Sequence, residues 1–262
     1  LEPGYYDLST ASDYGLPAEN PYYDWTDIGD GYQLDIRNVD DLTIRGSGKE
    51  TTELVHTSRY ANVLYFKSCF NVTLENFTVG HTDGGKCAGG VVYLQHCRNA
   101  NLNGLGLYGC GTTGVRSDAC IDVNIRNCEI YDCSTNGIQA DHTDGLQVED
   151  CSIHDLGKDQ FAAGGVFWLQ NCTDVNIRQC EVSDNRVLQI VNCRPSAGIE
   201  LRETTFARNQ VQLAFFLNDG GGLVMDNCDF ADNEIRRWFQ LEGGTVLDGI
   251  GKSWDEEMLD AW

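Results

Sequence analysis

CIDVNIRNCEIYDCSTNGI, residues 120–138, contains a nine-residue phrase that the chain keeps rewriting. It returns as NVTLENFTV (71–79), NANLNGLGL (99–107), GLQVEDCSI (145–153), DVNIRQCEV (174–182) and GLVMDNCDF (222–230). The copies align on Leu42, Val72, Ala100, Val123, Leu146, Val175, Ile199 and Leu223, at intervals of 30, 28, 23, 23, 29, 24 and 24 residues. Two positions on, Ile44, Leu74, Leu102, Ile125, Val148, Ile177, Leu201 and Met225 form a wholly apolar column. Seven positions on, Val79, Leu107, Ile130, Ile153, Val182, Phe206 and Phe230 form another. Spacing of two within a copy marks strands, and repeats of this period mark stacked units too small to bury a core alone. A further strand precedes each anchor, as in GVRSD (114–118), GIQAD (137–141) and GVFWLQ (165–170). Short strands and turns within some 23 residues make one coil of a parallel β-helix, each coil ~4.8 Å above the last.

The expected fold is all-β: a parallel β-helix solenoid of about eight to nine coils with all strands parallel. Residues 1–252 form the solenoid, with 9–32 a long aromatic insertion folded over the first coils. The last stretch, 253–262 (SWDEEMLDAW), has a capping box at Ser253 and Glu256 before Trp254, Met258, Leu259 and Trp262. It is expected to be a short C-terminal capping helix or the start of a linker.

Ten of the twelve cysteines also fall in columns. Cys128, Cys151, Cys180 and Cys228 share one, Cys69, Cys97, Cys120 and Cys172 a second, and Cys110 and Cys133 a third. Cys87 and Cys193 stand outside. No C-x-x-C or H-x-x-x-H pair is present, so zinc is a poor reading. Free thiols packed as small hydrophobes at interior corners are expected. Later coils continue the third column with Asn185, Asn209 and Asn233, which predicts a structural amide ladder.

The opening PGYYDLS (3–9) and the coil phrases resemble the right-handed parallel β-helix superfamily, the pectate-lyase-like fold, over roughly residues 1–250. That resemblance implies architecture, since the fold hosts lyases, hydrolases, epimerases, adhesins and binding modules. HTDG at 81–84 and 142–145 is similar to the Asn-Thr-Asp-Gly stretch of polygalacturonases. The paired aspartates, Gly-His-Gly and Arg-Ile-Lys of that family are missing. DHTD (141–144) is only faintly similar to the Asp-Pro-His-Glu of alginate epimerases, and no catalytic role carries over from either.

With 40 acidic and 18 basic residues the chain has a formal charge of −22, which disfavours nucleic acid and anionic membranes as partners. No apolar run reaches membrane-spanning length. An extracellular or cell-surface location is expected, and the sequence leaves the oligomeric state open.

Two of the long intervals, 28 and 29 residues, place loops 80–89 and 154–164 at the same turn, flanking two short-turned coils. On that shelf, alternation points Arg116, Gln139 and Trp168 outward, in a column with Tyr65 and Tyr93. The neighbouring column reads Lys67, Gln95, Asp118, Asp141 and Gln170. Asp118 and Asp141 are candidate catalytic carboxylates assisted by Arg116, with Tyr65, Tyr93, Gln139, Trp168 and Gln170 as glycan-contacting residues. Tyr93 and Trp168 are expected as stacking walls. Two carboxylates this close share a proton or a cation, and calcium on Asp118 and Asp141 is one resolution. His142 and His154 are near in sequence, and alternation turns His142 inward beside Ala140.

Three functions follow. The first is a polysaccharide hydrolase, or a lyase/epimerase using calcium. The second is a non-catalytic adhesin or carbohydrate-binding module. The third is a scaffold whose partner is another protein or a lost domain; in so acidic a chain two stacked aspartates also arise without any chemistry.

Overall fold

The computed structural model describes residues 1–10, 20–82, 88–109, 112–157, 163–218, 222–243 and 246–248. Each coil contributes one strand to each of three sheets. In the coil that carries Arg116 these are Thr113–Asp118, Ile121–Arg126 and Glu129–Tyr131. The first sheet has eleven strands and the other two have nine. Eight coils are complete among the described residues, from the one opening at Tyr32–Arg37 to the one opening at Gln210–Leu217.

The alignment of the repeats is the register of the sheets. Ala100, Val123, Leu146, Val175 and Ile199 are Cα partners in the second sheet. Leu107, Ile130, Ile153, Val182 and Phe206 are partners in the third. These residues are fully buried, so the columns are the core. A one-residue slip would turn every one of them to solvent, which is why the hydrophobic pattern sets the register so firmly.

Corners between sheets need a left-handed residue, and the chain fills them mostly with Asn and Asp, which tolerate positive φ. Asn76, Asn127 and Asp150 turn from the second sheet into the third, and Asp132, Asp155 and Asp184 leave the third. Part of the acidic surplus is therefore corner geometry. Where the first sheet turns into the second, Ser68, His96, Ala119, His142 and Asn171 have φ between 48° and 54°.

The cysteine columns follow these corners. Cys128 Sγ donates to the carbonyls of Arg126 (3.1 Å) and Leu102 (3.6 Å), and Cys151 Sγ to those of Glu149 (3.2 Å) and Ile125 (3.5 Å). Thr204, in the same column, donates its hydroxyl to the Arg202 carbonyl at 2.9 Å. The position needs a small side chain with one donor, and a buried thiol meets that need. All ten described cysteines are buried and unbridged. Cys193 stands in the inward row between Leu169 and Leu217. The expected amide ladder is present at Asn185, Asn209 and Asn233.

One expectation needs correction. The strands are not all parallel, because Tyr23–Asp27 pairs antiparallel with Tyr32–Arg37 and ends the first sheet. A tight return at Ile28–Gly31 allows this hairpin, whereas parallel neighbours need a full coil between them. The proposed terminal helix at 253–262 and the tips of both long loops (83–87 and 158–162) lie outside the described residues. The stems of both loops join the third sheet to the first, at one corner of the solenoid. No helix among the described residues is long and apolar enough to cross a membrane.

Candidate functional site

The first sheet presents two outward columns. One reads Tyr65, Tyr93, Arg116, Gln139 and Trp168, ending in register on Asn192, which is buried; the other reads Lys67, Gln95, Asp118, Asp141, Gln170 and Arg194. The eight sequence-derived site residues thus share one face, each half-buried against its neighbours. Strand alternation places them there: Val115, Ser117, Ile138 and Ala140 between them are buried.

Asp118 and Asp141 are Cα partners on adjacent strands. One oxygen of each, with a ring nitrogen of His142, lies within 4.8 Å of the others. Tyr93 donates its hydroxyl to Asp118 Oδ2 at 3.4 Å. Burial first, and Asp118 after it, hold the Tyr93 phenol above its usual range against the opposing Arg116, so it meets Asp118 as a neutral donor. Burial and the neighbouring Tyr93 push Tyr65 up to about 12, and its hydroxyl donates to Gln95. Asn136 donates to Gln139 Oε1 at 3.2 Å, which fixes that amide.

The aromatic faces are already engaged. Tyr93 stacks on Tyr65 with centroids 4.9 Å apart, and the Arg116 guanidinium lies 4.6 Å over its ring. Arg194 lies 5.1 Å over Trp168. Stacking along the solenoid axis brings in-register rings face to face, so both faces of Tyr93 and one of Trp168 are covered. What Tyr93 offers outward is its rim and hydroxyl, not the open stacking wall the sequence suggests.

The structure separates the two histidines. His142 does not point inward: it occupies the left-handed corner after Asp141, with a side chain 63% exposed. The corner residue breaks the alternation on which the inward reading relied. Its Nδ1 is 2.8 Å from Asp141 Oδ1 but off hydrogen-bond angle, so that oxygen has no hydrogen-bond partner among the described residues. His154 belongs to the third sheet, stacked on Tyr131 at 5.4 Å and held between Asp155 and Glu129, away from the candidate face. The two HTDG histidines are likewise not equivalent, since His81 is buried in the third sheet.

For a cation, Asp118 and Asp141 offer carboxylate oxygens and His142 a nitrogen. Calcium takes six to eight oxygens, so these residues supply a minor part of its shell.

Arg194 was not singled out from the sequence. It lies 24 residues after Gln170, the same interval as Val175 to Ile199. The signal was obscured because Arg186–Arg194 is a nine-residue strand whose outward phase is irregular.

The fold and this face define a right-handed β-solenoid with one ordered row of outward polar side chains. The family model for the right-handed β-helix region matches residues 62–247, and the chain belongs to that family. Among solved structures, a tailspike (gp42) of Acinetobacter phage vb_AbaP_AS12 is similar at 9% identity and a TM-score of 0.51, over 85% of this chain and 57% of that one. An alginate lyase from Paenibacillus sp. str. FPU-7 matches at 15% identity and a TM-score of 0.46, over 82% of this chain and 89% of that one. The catalytic domain of a GH87 α-1,3-glucanase in complex with nigerose matches at 9% identity and a TM-score of 0.36, over 84% and 63%. No curated protein matches this sequence. Likeness at these identities speaks to the fold alone.

Proposed function

We propose that this protein binds a polysaccharide along its first sheet, outside the cell, and hydrolyses it at Asp118 and Asp141. The observation that carries the reading is their placement in register, with oxygens within 4.8 Å, at the middle of a row of amides, two phenols, an indole and guanidinium groups. Paired carboxyls about 5–5.5 Å apart suit a retaining glycosidase, whereas an inverting water needs about 6.5–9.5 Å. In this reading Asp118, oriented by Tyr93, attacks the anomeric carbon. Asp141 protonates the departing glycosidic oxygen, then takes a proton from the water that releases the glycosyl-enzyme. Gln139 and Gln170 hold hydroxyls on either side.

The test is a glycan panel followed by product analysis on wild type and the Asp118→Asn/Asp141→Asn variant. Turnover with retained anomeric configuration, abolished in the variant, is the expected result. Binding without turnover by the wild type would make the face a recognition module, and an unsaturated product would make the enzyme a lyase. A variant unchanged in both binding and turnover removes the site.

A further inference from the structure

The column through the aspartate pair has a charge order that the proposed reading does not use. Lys67, Gln95, Asp118, Asp141, Gln170 and Arg194 read cation, neutral, acid, acid, neutral, cation, symmetric about the pair. Each step is one strand spacing, so each cation stands ~10 Å from the nearer aspartate along the axis, and the two cations are ~24 Å apart.

The surroundings sharpen the pattern. On a chain of charge −22, these two outward columns, extended one coil to Asp35 and Arg37, carry four cations (Arg37, Lys67, Arg116, Arg194) against three acids (Asp35, Asp118, Asp141). Arg37 is paired to Asp24 at 3.1 Å. Lys67, Arg116 and Arg194 have no ion pair with any acid among the described residues, so their charges are open to a ligand; Arg45, Arg126, Arg178, Arg202 and Arg208 are each held by an acid, while Arg59, Arg98, Arg186, Arg236 and Arg237 are unpaired as well but lie outside these two columns. Lys67 is exposed and lines a cleft of about 350 Å³ with Pro21, Arg37, Asn38 and Ser68. Arg194 is exposed and braced over two rings, 5.1 Å from Trp168 and 5.7 Å from Phe216. Such bracing pre-orders a guanidinium to receive a planar anion.

We infer that the polymer bound at this site carries anionic groups, carboxylate or sulfate, and lies along the solenoid axis with one such group at Lys67 and another at Arg194. The inference rests on the reading of Asp118 and Asp141 as the reacting centre. It removes the difficulty that an acidic protein poses for an anionic polymer: the flanking cations hold the charges, and the aspartates face the uncharged glycosidic bond between them. Arg116, one side chain along the strand from Asp118, supplies the local counter-charge.

The experiment measures binding of polygalacturonate, dextran sulfate and dextran to the Asp118→Asn/Asp141→Asn protein, with and without Lys67→Gln and Arg194→Gln. Both added positions are exposed, and unchanged thermal melts verify folding. Binding of one or both anionic polymers that falls at least tenfold on neutralising Lys67 and Arg194, with a flatter salt dependence, is the expected result. Whether polygalacturonate or dextran sulfate responds identifies carboxylate or sulfate as the anion. Dextran bound as tightly as either anionic polymer, anionic binding unchanged by the two substitutions, or no binding of any of the three overturns the inference. Failure of the parent reading looks different: a substrate found on the panel would then be turned over equally by wild type and the aspartate variant.

Discussion

The side-chain amide of Asn185 donates to Oδ1 of Asn209 at 2.9 Å, and Asn209 donates in turn to Oδ1 of Asn233 at 2.9 Å. Each amide also bonds a carbonyl of the coil before, Ile153 for Asn185 and Val182 for Asn209. Each oxygen receives a backbone N–H as well, from Leu156 at Asn185 and from Asn185 at Asn209. Asn209 is 1% exposed, so replacing it by Ala strands several buried donors and acceptors at once. Asn209→Ala is expected to lower stability by about 2–4 kcal/mol, since each orphaned buried polar group costs about 1–3 kcal/mol. Asn233→Ala, at the open end of the ladder, should cost less. Urea denaturation of both variants decides it, and equal losses would contradict the ladder.

That ladder was legible from the sequence because a solenoid repeats one environment at one interval. The apolar columns, the cysteine columns and both outward rows of the candidate face were visible for the same reason. What was not visible lies where the repeat is interrupted. His142 was misplaced because a left-handed corner resets the alternation, and Ala119 and Asn171 at the same corner share no residue type that flags it. The antiparallel strand Tyr23–Asp27 lies outside any copy of the phrase. Arg194 was hidden by a longer strand. The engaged ring faces of Tyr93 and Trp168 depend on rotamers that a column of letters does not carry.

His56 and His81 stand in register in the third sheet, 1% and 4% exposed. Ser58 donates its backbone N–H to His56 Nδ1 at 3.0 Å, which demands an unprotonated nitrogen there, while Nε2 faces the Tyr32 carbonyl at 2.9 Å. Burial lowers both imidazoles below their ordinary 6.5, and His56 lowers His81 further. A base whose folded value is depressed binds fewer protons folded than unfolded, so stability rises with pH across that range. No loss is expected above about pH 6.5, and stability should decline as pH falls from there toward the depressed folded values. Thermal melts from pH 8 to 4.5 check this. Carboxylates also titrate at the low end of that range, so the assignment requires a shallower decline between pH 6.5 and 5 in His81→Gln than in wild type.

The ten described cysteines are expected to ignore a thiol reagent in the native protein and to react once it is denatured without reductant. Burial pushes the Cys133 thiol up to about 12, and the Cys128 thiol beside it, followed by burial, pushes Cys151 up to about 12. Neither is a thiolate near neutral pH, and only the thiolate reacts; Cys120 and Cys128, which hydrogen bonding from Cys97 and Cys151 lowers, are shielded by burial alone. Replacing Cys151 by Ser should cost little more than about 1–2 kcal/mol, because Ser keeps a donor for the Glu149 carbonyl as Thr204 does for that of Arg202. Cys151→Val, which loses the donor, should cost more. A Val variant as stable as the Ser variant would show that volume alone governs the corner.

The charge balance of the candidate face bears directly on calcium. Two stacked carboxylates call for a nearby positive charge, and the register sets Arg116 two residues before Asp118 on the same strand, between Tyr93 and Gln139, without an ion pair to either aspartate. The remaining donor of the cluster is the His142 nitrogen, a group that calcium does not favour. Turnover and polymer binding are therefore expected to survive chelation with EDTA, and millimolar calcium should leave the melting temperature where it was. An ion held by the folded protein at a hundred times its Kd would add about 2.7 kcal/mol, a shift that a thermal melt resolves easily. Arg116→Met is the complementary measurement. It removes the counter-charge and keeps the stem over Tyr93, so turnover should fall at least tenfold while the fold holds. A variant that regains its activity when calcium is supplied would show that the ion and Arg116 answer the same charge, and would restore calcium to the mechanism.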